Sequence, residues 1–591
     1  MLPVSSALKP TPYNDDIQPD EGESVGTDGA NTAAVYYRGE GYSTTGKRLL
    51  GRQAAGEGFL KGLMQYGTAD ALYCYTESQA EFDDFAQFAQ TWLARPKPQH
   101  WLSPDRPALL ARAGTLYKPD SILAPLAWQR RFRNQRAYSL CGVTHTIASK
   151  GVMQAIGDLA IAPLQPWDAL ICTSNAVKTA VDRILATWIE YLGQRFGSAA
   201  TPVLPHLPVI PLGVDCDRFV WGESARAPRQ RLRQQLGIAD DDVVVLFVGR
   251  LIFYGKAHPT PMYLALERAA QRAGDRKVHL IQAGWFEDDR EPAEFERGAQ
   301  LLCPSVNAIF LDGRQPEVRS DVWAASDIFI SLSDNIQETF GLTPIEAMAS
   351  GLPVVVSAWD GYRESVRHEV DGFHIPTITP PPGAGLDLAA DFQADTLNYS
   401  TYMGHAAMVS VVDVEACASA LATLINRPEL RQKLGENGRQ RAQSVYHWKH
   451  VIRAYEELWA ELAERRLEAA MTAPCRVPQT PAPLCDDPFR LFAHYPTDVL
   501  RPDTRLRLGA MAAADTLPQV RSLWMNQFGE SRRISSEMMD EVLRAIAAAD
   551  SLTVADILAR HADVPPERVV RALGHALKFD ILRAIAHPTE R

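Results

Sequence analysis

Two glutamates, Glu338 and Glu346, flank a short segment whose residues are suited to binding an anion beside hydroxyl groups, Phe340-Gly341-Leu342. A helical pattern follows this segment, and the free backbone N–H groups at a helix N-terminus attract anions. Gly341 lets the backbone approach a phosphate closely. Carboxylates beside a phosphate need hydrogen-bond donors of their own, and sugar or ribose hydroxyls would provide them. The spacing therefore predicts a site for a phosphate that carries sugar hydroxyls.

The same stretch also has an explanation that needs no ligand. Thr343 can cap a helix whose first residue is proline, and Glu346 then completes a capping box. Under this interpretation Glu338 is a solvated loop charge. In either case Gly351 fits the left-handed position after the last turn, and the apolar run 354–356 predicts a strand buried on both faces. These residues by themselves leave both interpretations open.

Apolar strands that alternate with helical segments must position these groups. The run VVVLFVG places Arg250 at the carboxyl end of a predicted strand, and Lys256 follows six residues later. Two cations at the mouth of a parallel sheet suit a diphosphate, because charge-assisted bonds to phosphate are strong and directional; a solvated pair is the alternative. The stretch 139–149 predicts an apolar strand that runs into a loop carrying His145, which is either structural or a ligand contact.

A glycine-rich loop follows the first predicted strand, which ends at Arg38. Its glycines, Gly39 and Gly41 among them, are typical of a loop that admits a phosphate. The segment from Gly41 to Lys47 nearly matches a nucleotide-hydrolysing P-loop. Arg48, however, stands where Ser or Thr would bind magnesium, so the pattern does not favour that function.

Composition is that of an ordinary globular protein. The chain has 591 residues, 46% of them hydrophobic and 22% charged, with a net charge of −11 that does not favour a broad nucleic-acid surface. Its eight cysteines are scattered and form no CxxC pair, which indicates a reduced protein rather than a disulfide or zinc framework. The sequence contains no leader pattern and no apolar run of about 20 residues, so we expect a soluble cytoplasmic protein.

The stretch 337–357 resembles the signature of retaining GT-B glycosyltransferases of family four, in which two glutamates with this spacing hold a nucleotide-sugar. The resemblance extends over about 35–465 and is strongest in 241–376. It implies an α/β protein with two Rossmann-like domains that face each other across a cleft. The hinge departs from the family pattern because Leu212 replaces Asn, and Lys256 is followed by Ala257 where the family usually has glycine.

The resemblance also implies roles for individual residues. Arg250 and Lys256 would hold the donor diphosphate, Glu346 the ribose, and Glu338 a hydroxyl of the donor sugar. His145 would contact that sugar from the opposite domain. Further implied donor-binding residues are Phe340, Gly341, Leu342, Thr343, Gly39, Gly41, Gly313 and Arg314.

Changes in composition and pattern, together with the family resemblance, predict the domain limits. They give a flexible tail at 1–31, a first Rossmann-like domain at 32–212, a second at 213–440, a crossover helix at 441–470, a linker at 471–488 and a helical, winged-helix-like module at 489–591. Within the second domain, the Pro/Gly-rich insertion 377–408 is predicted to be a loop that contacts the acceptor. The C-terminal module lacks a basic stripe, which favours dimerisation or partner docking over DNA binding.

The expected function is transfer of a hexosyl unit from a nucleoside diphosphate sugar to an acceptor hydroxyl with retention, without a metal or other cofactor. The acceptor class, whether glycan, lipid, small molecule or protein, is left open. Alternatives are a GT-B sugar-nucleotide epimerase or phosphorylase, and a catalytically silent nucleotide-sugar sensor.

Overall fold

A computed structural model describes residues 32–43, 51–197, 202–274, 276–469 and 480–585. These residues fall into two compact units, 32–469 and 480–585. The predicted tail at 1–31 and residues 471–479 of the predicted linker lie outside the described residues.

The first lobe is built on a six-stranded parallel sheet with strand order β3-β2-β1-β4-β5-β6. Its strands are short and apolar, and β5 is buried along its whole length, as expected when helices cover both faces of a sheet. The strands are β1 (Ala34–Tyr36), β2 (Leu72–Tyr75), β3 (Gln99–Leu102), β4 (Thr115–Lys118), β5 (Ser139–Val143) and β6 (Ala169–Ile171). The helices are α1 (Gly51–Tyr66), α2 (Gln79–Trp92), α3 (Leu110–Ala113), α4 (Ala124–Arg133), α5 (Lys150–Asp158) and α6 (Asn175–Phe196).

The second lobe repeats this plan with strand order β12-β11-β10-β7-β8-β9, again all parallel. Its strands are β7 (Val243–Val248), β8 (Val278–Gly284), β9 (Val306–Asp312), β10 (Ile328–Ser331), β11 (Val354–Ser357) and β12 (Gly372–Ile375). Its helices before the insertion are α7 (Arg226–Leu236), α8 (Pro259–Ala270), α9 (Glu291–Leu302), α10 (Pro316–Ala325), α11 (Leu342–Ala349) and α12 (Tyr362–Ser365). Strands β10 and β11 are fully buried, which explains their unbroken apolar sequence.

The segment predicted as an acceptor loop, 377–408, is not a loop. Strands β13 (Thr377–Ile378) and β14 (Val411–Val412) pair antiparallel and close its stem, and helices α13 (Leu386–Gln393) and α14 (Tyr399–Ala407) lie between them. Phe392 stacks on Tyr402 with ring centroids 4.3 Å apart, so tertiary packing stabilises helices that the Pro/Gly-rich sequence does not favour. The prediction of an irregular loop was therefore wrong.

Three helices complete this unit: α15 (Val414–Asn426), α16 (Pro428–Arg441) and α17 (Trp448–Glu468). Although α17 follows the second lobe in the chain, it packs into the core of the first lobe. There Trp448 and Tyr455 contact Phe59. The closing helix thus joins the two lobes.

The unit 480–585 is largely helical, as predicted, but it also contains a three-stranded antiparallel sheet of order β16-β15-β17. Its elements are α18 (Pro488–Leu491), β15 (Arg505–Leu508), α19 (Leu517–Ser522), α20 (Ser536–Ala549), β16 (Leu552–Thr553), α21 (Val554–Arg560), α22 (Pro566–Lys578) and β17 (Leu582–Ile585). The strands are short and adjoin helices, so the helical pattern hid the alternation of apolar and polar residues that would have predicted them.

The predicted α/β class, with two Rossmann-like lobes that face each other and a helical C-terminal region, is confirmed. Of the helices in the described residues, none combines the length and apolarity needed to span a bilayer.

Candidate active site

A cavity of about 780 Å³, here called the interlobe cavity, lies between the two lobes. Both lobes contribute to its lining, as do the hinge residues between them. Most of the site residues predicted from the sequence line it together: His145, Arg250, Lys256, Gly313, Arg314, Glu338, Phe340, Gly341, Leu342, Thr343 and Glu346. The topology thus brings to one place groups that are up to about two hundred positions apart in the chain.

Two cations enter the cavity from the loop after β7. Arg250 follows the strand directly, because the carboxyl ends of parallel strands open onto the same edge of the sheet. Lys256 Nζ donates to Glu338 Oε2 at 2.9 Å, whereas Arg250 has no ion-pair partner within the described part of the chain. Of these two cations, Arg250 is therefore the more available to an incoming anion.

Glu338 is largely buried, with 11% of its side chain exposed. Burial by itself raises the pKa of Glu338, but Lys256 and the backbone N–H groups of Thr339 and Phe340 outweigh it and hold that pKa below its usual value. The carboxylate is thus charged at neutral pH and can accept hydrogen bonds from hydroxyl groups.

The loop that carries Glu338 is fixed by a buried asparagine that the sequence analysis did not identify. Asn335 Nδ2 donates to the Tyr254 carbonyl at 2.5 Å, and Asn335 Oδ1 accepts from Gln337 N at 2.8 Å. The Asn335 carbonyl accepts from Trp359 Nε1 at 3.0 Å. A single asparagine in a polar loop gives no sequence signal, since its partners come from distant segments.

The helix that follows, α11, begins two residues earlier than predicted. Its N-cap is Gly341, with φ of 85°, and Thr343 lies inside the helix. A Cβ at Gly341 would lie 2.0 Å from the Tyr362 ring, so both the backbone angle and the close approach require glycine. The prediction of Thr343 as N-cap was therefore wrong. Gly351 does adopt the predicted left-handed conformation after the helix, with φ of 79°.

Because the cap moves to Gly341, Glu346 cannot form the capping box considered above. Its Oε1 instead accepts from Arg218 Nη2 at 3.3 Å, and 20% of the side chain is exposed to the cavity. The ligand-free explanation of Glu346 as a capping residue is therefore wrong, and its carboxylate is available beside the first turn of α11.

His145 faces this wall from the first lobe. Its Nε2 lies 3.1 Å from the Pro119 carbonyl, and burial lowers the pKa of His145. Since a carbonyl can only accept, Nε2 carries the proton and the neutral ring leaves Nδ1 as an acceptor for a ligand hydroxyl.

Only some of the residues that were predicted to bind the nucleotide line the cavity. Gly313 and Arg314 line the cavity, with Arg314 Nη2 held 2.8 Å from Asp312 Oδ2. Gly39 and Gly41 are not among its lining residues: they form a 3₁₀ turn. A Cβ on Gly56 would lie 2.2 Å from the Gly41 carbonyl, so this close approach requires glycine at position 56. Residues 44–50, including the rest of the P-loop-like segment, lie outside the described residues.

Hydrogen bonds join the two lobes beside the cavity. Glu364 of the second lobe accepts from the backbone N–H groups of Asn175 at 2.9 Å and Ala176 at 3.0 Å, at the N-terminus of α6. Ser174 Oγ donates to the Thr339 carbonyl at 3.0 Å. A carboxylate at a helix N-terminus is stabilised by the helix dipole, so Glu364 ties the two lobes in register.

Residues 228–380 match the family described as Glycosyl transferases group 1. A D-inositol 3-phosphate glycosyltransferase of Geodermatophilus obscurus is 32% identical over 251 residues, which is 41% of this chain and 51% of that protein. Another of Corynebacterium kroppenstedtii is 31% identical over 239 residues, 40% of this chain and 50% of that protein. The chain thus spans about half the length of these relatives.

A solved structure of Anabaena Alr3699/HepE in complex with UDP is 16% identical, with a TM-score of 0.45; it covers 72% of this chain and 97% of that one. The segment that matches the group 1 glycosyltransferase family lies in the second lobe.

Proposed function

We propose that the protein is a retaining glycosyltransferase that moves a hexosyl unit from a nucleoside diphosphate sugar to an acceptor hydroxyl. The observation that carries this proposal is the convergence of Arg250, Lys256, Glu338 and Glu346 in one cavity between two lobes. The names of the relatives support glycosyl transfer as the reaction class.

In the proposed complex the second lobe holds the nucleotide. Arg250, Lys256 and the backbone N–H groups at the start of α11 bind the diphosphate, and Glu346 accepts hydrogen bonds from the ribose. The surface around Gly313 and Arg314 contacts the base. Glu338 and the neutral ring of His145 then hold the sugar from opposite sides.

The main chemical demand is stabilisation of the departing diphosphate as the anomeric C–O bond breaks. The acceptor oxygen attacks from the same face, and its proton passes to the departing phosphate oxygen, so configuration is retained without a carboxylate nucleophile. Arg250, Lys256 and the α11 amides meet the developing negative charge. The proposal therefore includes no metal or other cofactor.

A stabilisation screen with UDP-, GDP- and ADP-sugars tests the donor class. A ligand present at about a hundred times its Kd should raise the free energy of unfolding by about 2.7 kcal/mol. Product analysis with and without candidate acceptors follows. Release of an epimerised donor would indicate an epimerase, and formation of a sugar phosphate from inorganic phosphate would indicate a phosphorylase. Tight binding without turnover would favour a sensor.

We propose that the unit 480–585 docks a partner protein or a second copy of the chain. Trp524 and Phe528 support this, because 87% and 90% of their surfaces are exposed, and exposed large aromatic side chains mark interaction surfaces. Deletion of 486–591 should spare donor hydrolysis and reduce partner binding or oligomer size. A folded truncation that no longer hydrolyses donor would instead place this unit in the catalytic apparatus.

We also propose a cytoplasmic location. Six cysteines in the described residues are buried as free thiols, which fits a reducing compartment. Secretion of the native chain with oxidised cysteines would contradict this.

A further inference from the structure

A second cavity, of about 1100 Å³, adjoins the interlobe cavity. Glu338 and Thr339 line both cavities, so a ligand in the second one reaches the position proposed for the donor sugar. The first lobe contributes α5 and α6 to its wall, and the second lobe contributes the segment 358–363.

The insertion between β13 and β14 forms part of this wall and connects the two lobes. The hydroxyl groups of Tyr399 and Thr146 lie 3.0 Å apart, and Lys150 Nζ donates to the Gln393 carbonyl at 2.9 Å. Lys150 Nζ also lies 2.8 Å from Asp395. The insertion thus encloses a space beside the donor site rather than extending into solvent.

Two arginines line this cavity from opposite lobes, Arg183 on α6 and Arg363 on α12. Within the part of the chain that the structure describes, neither guanidinium group takes part in a hydrogen bond or ion pair, whereas Arg314 beside the interlobe cavity is held by Asp312. Unpaired guanidinium groups bind phosphate or carboxylate groups with two parallel hydrogen bonds.

Other lining groups are suited to a hydroxylated ring. Trp188 and Trp359 offer flat apolar faces. Asp360 Oδ2 is buried and has no hydrogen-bond partner in the described residues. Burial, together with the charge of Glu338, raises the pKa of Asp360 to about 8, so at neutral pH the carboxyl group is mostly protonated and does not repel an anion.

We propose that this second cavity is the acceptor site and that the acceptor is a sugar or polyol carrying a phosphate or carboxylate group, which Arg183 and Arg363 bind from the two sides. This assignment rests on the proposed glycosyl transfer and adds the acceptor class to it. The anionic group anchors the ring between Trp188 and Trp359, and a ring hydroxyl points toward Glu338 and the donor sugar.

The test uses glucose 6-phosphate, glucuronate and glucose as probes. Binding is measured by calorimetry on the full chain, saturated with whichever of UDP, GDP and ADP binds most tightly. This nucleotide is proposed to occupy the interlobe cavity, where it prevents Arg250 and Lys256 from capturing the probe. We expect at least one anionic probe to bind at least tenfold more tightly than glucose. The two anionic arms distinguish a phosphate from a carboxylate ligand.

Arg183→Gln and Arg363→Gln should each weaken binding of the anionic probe about tenfold, or about 1.4 kcal/mol, because each removes a charge-assisted hydrogen bond. Binding of the nucleotide should not change. Arg226→Gln is the matched control, because Arg226 is an exposed arginine paired with Glu223 and does not line either cavity. Melting temperatures of all three variants should match the wild type, since the arginines are exposed.

Equal affinity for the three probes, no saturable binding of either anion, or retention of full affinity in both arginine variants would overturn the assignment. An Arg250→Ala variant separates the two proposals. If none of UDP, GDP and ADP binds the wild type while glucose 6-phosphate binding depends on Arg183 and Arg363 but not on Arg250, the donor proposal fails and the anion site stands.

Discussion

The two walls of the interlobe cavity are built in different ways. On the second lobe, Arg250 directly follows a buried strand, and Glu338 and Glu346 flank the start of a helix that Gly341 caps. On the first lobe, His145 also follows a buried strand, but the rest of the lining comes from one face of α1, with no helix start like that of α11. One wall is specified within a few residues of sequence, whereas the other depends on how distant elements pack.

This difference indicates which substrate each wall is suited to bind. Backbone N–H groups and strand ends are fixed by local geometry, so the second lobe suits the invariant part of a donor, its diphosphate. Side chains presented by packed helices can change without disturbing the fold, so the first lobe suits a variable acceptor. Substitutions on the second wall should therefore cost more activity than substitutions on the first.

The largest effect is expected from Arg250→Ala. Loss of the cation that has no acidic partner in the described residues should lower kcat/KM about a thousandfold, because it removes stabilisation of the departing diphosphate. Steady-state kinetics with the donor found in the screen measures this. Activity within a factor of three of the wild type would contradict the proposed role of Arg250. It would also contradict the expectation that substitutions on the second wall cost more activity than those on the first.

The next largest effect is expected from Gly341→Ala. The new Cβ would lie 2.0 Å from the Tyr362 ring at a φ of 85°, so the loop that carries Glu338 must shift, and we expect a loss of about 2–3 kcal/mol in the free energy of unfolding. Chemical denaturation measures this loss.

Gly237→Ala is the control for the Gly341 variant. Gly237 also has a positive φ, 67°, but nothing lies within 4 Å of its added Cβ, so it reports backbone strain without the collision. Its cost should stay near 1 kcal/mol, with normal activity. Equal losses in the two variants would contradict the close approach at Gly341.

Glu346→Gln sharpens the distinction between ligand binding and folding. We expect donor affinity to fall about tenfold, because a charged acceptor for the ribose hydroxyls is lost. The free energy of unfolding should change by less than about 0.5 kcal/mol, since Glu346 is not a capping residue and its pair with Arg218 is partly exposed. Loss of stability without loss of donor affinity would show that Glu346 has a purely structural role.

The smallest effect is expected where the first lobe meets the second. Glu364→Gln keeps an acceptor near the N-terminus of α6 but removes its charge, which should weaken lobe closure by about 0.5–1 kcal/mol and lower kcat three- to fivefold. Asp182→Asn, on the same helix but paired with Lys178, is the control. A loss as large as that of Arg250→Ala would mean that the first wall is as critical as the second.

The same contrast explains what the sequence could predict. The alternating lobes, the buried strands and the cluster of Arg250, Lys256, Glu338 and Glu346 follow from local pattern and from the family resemblance. The cap at Gly341 was missed because Thr-Pro is itself a good helix start, and the deciding contact with Tyr362 is tertiary. For the same reason Asn335 and Asp360 gave no signal.

The insertion was misjudged for a related physical reason. Its prolines and glycines disfavour helices locally, but Phe392 stacks on Tyr402, and Gly404 allows α14 to pack closely on Tyr254. Long-range packing of this kind overrides propensity. The proposed acceptor site is therefore the part of the protein that sequence patterns predict least.

The central claim is tested most directly by a crystal structure with the nucleotide-sugar that stabilises the protein most in the screen. The account predicts diphosphate oxygens within hydrogen-bond distance of Arg250 and Lys256, with the sugar between Glu338 and His145. A nucleotide bound outside the interlobe cavity, or bound within it with its diphosphate away from both cations, would contradict the account.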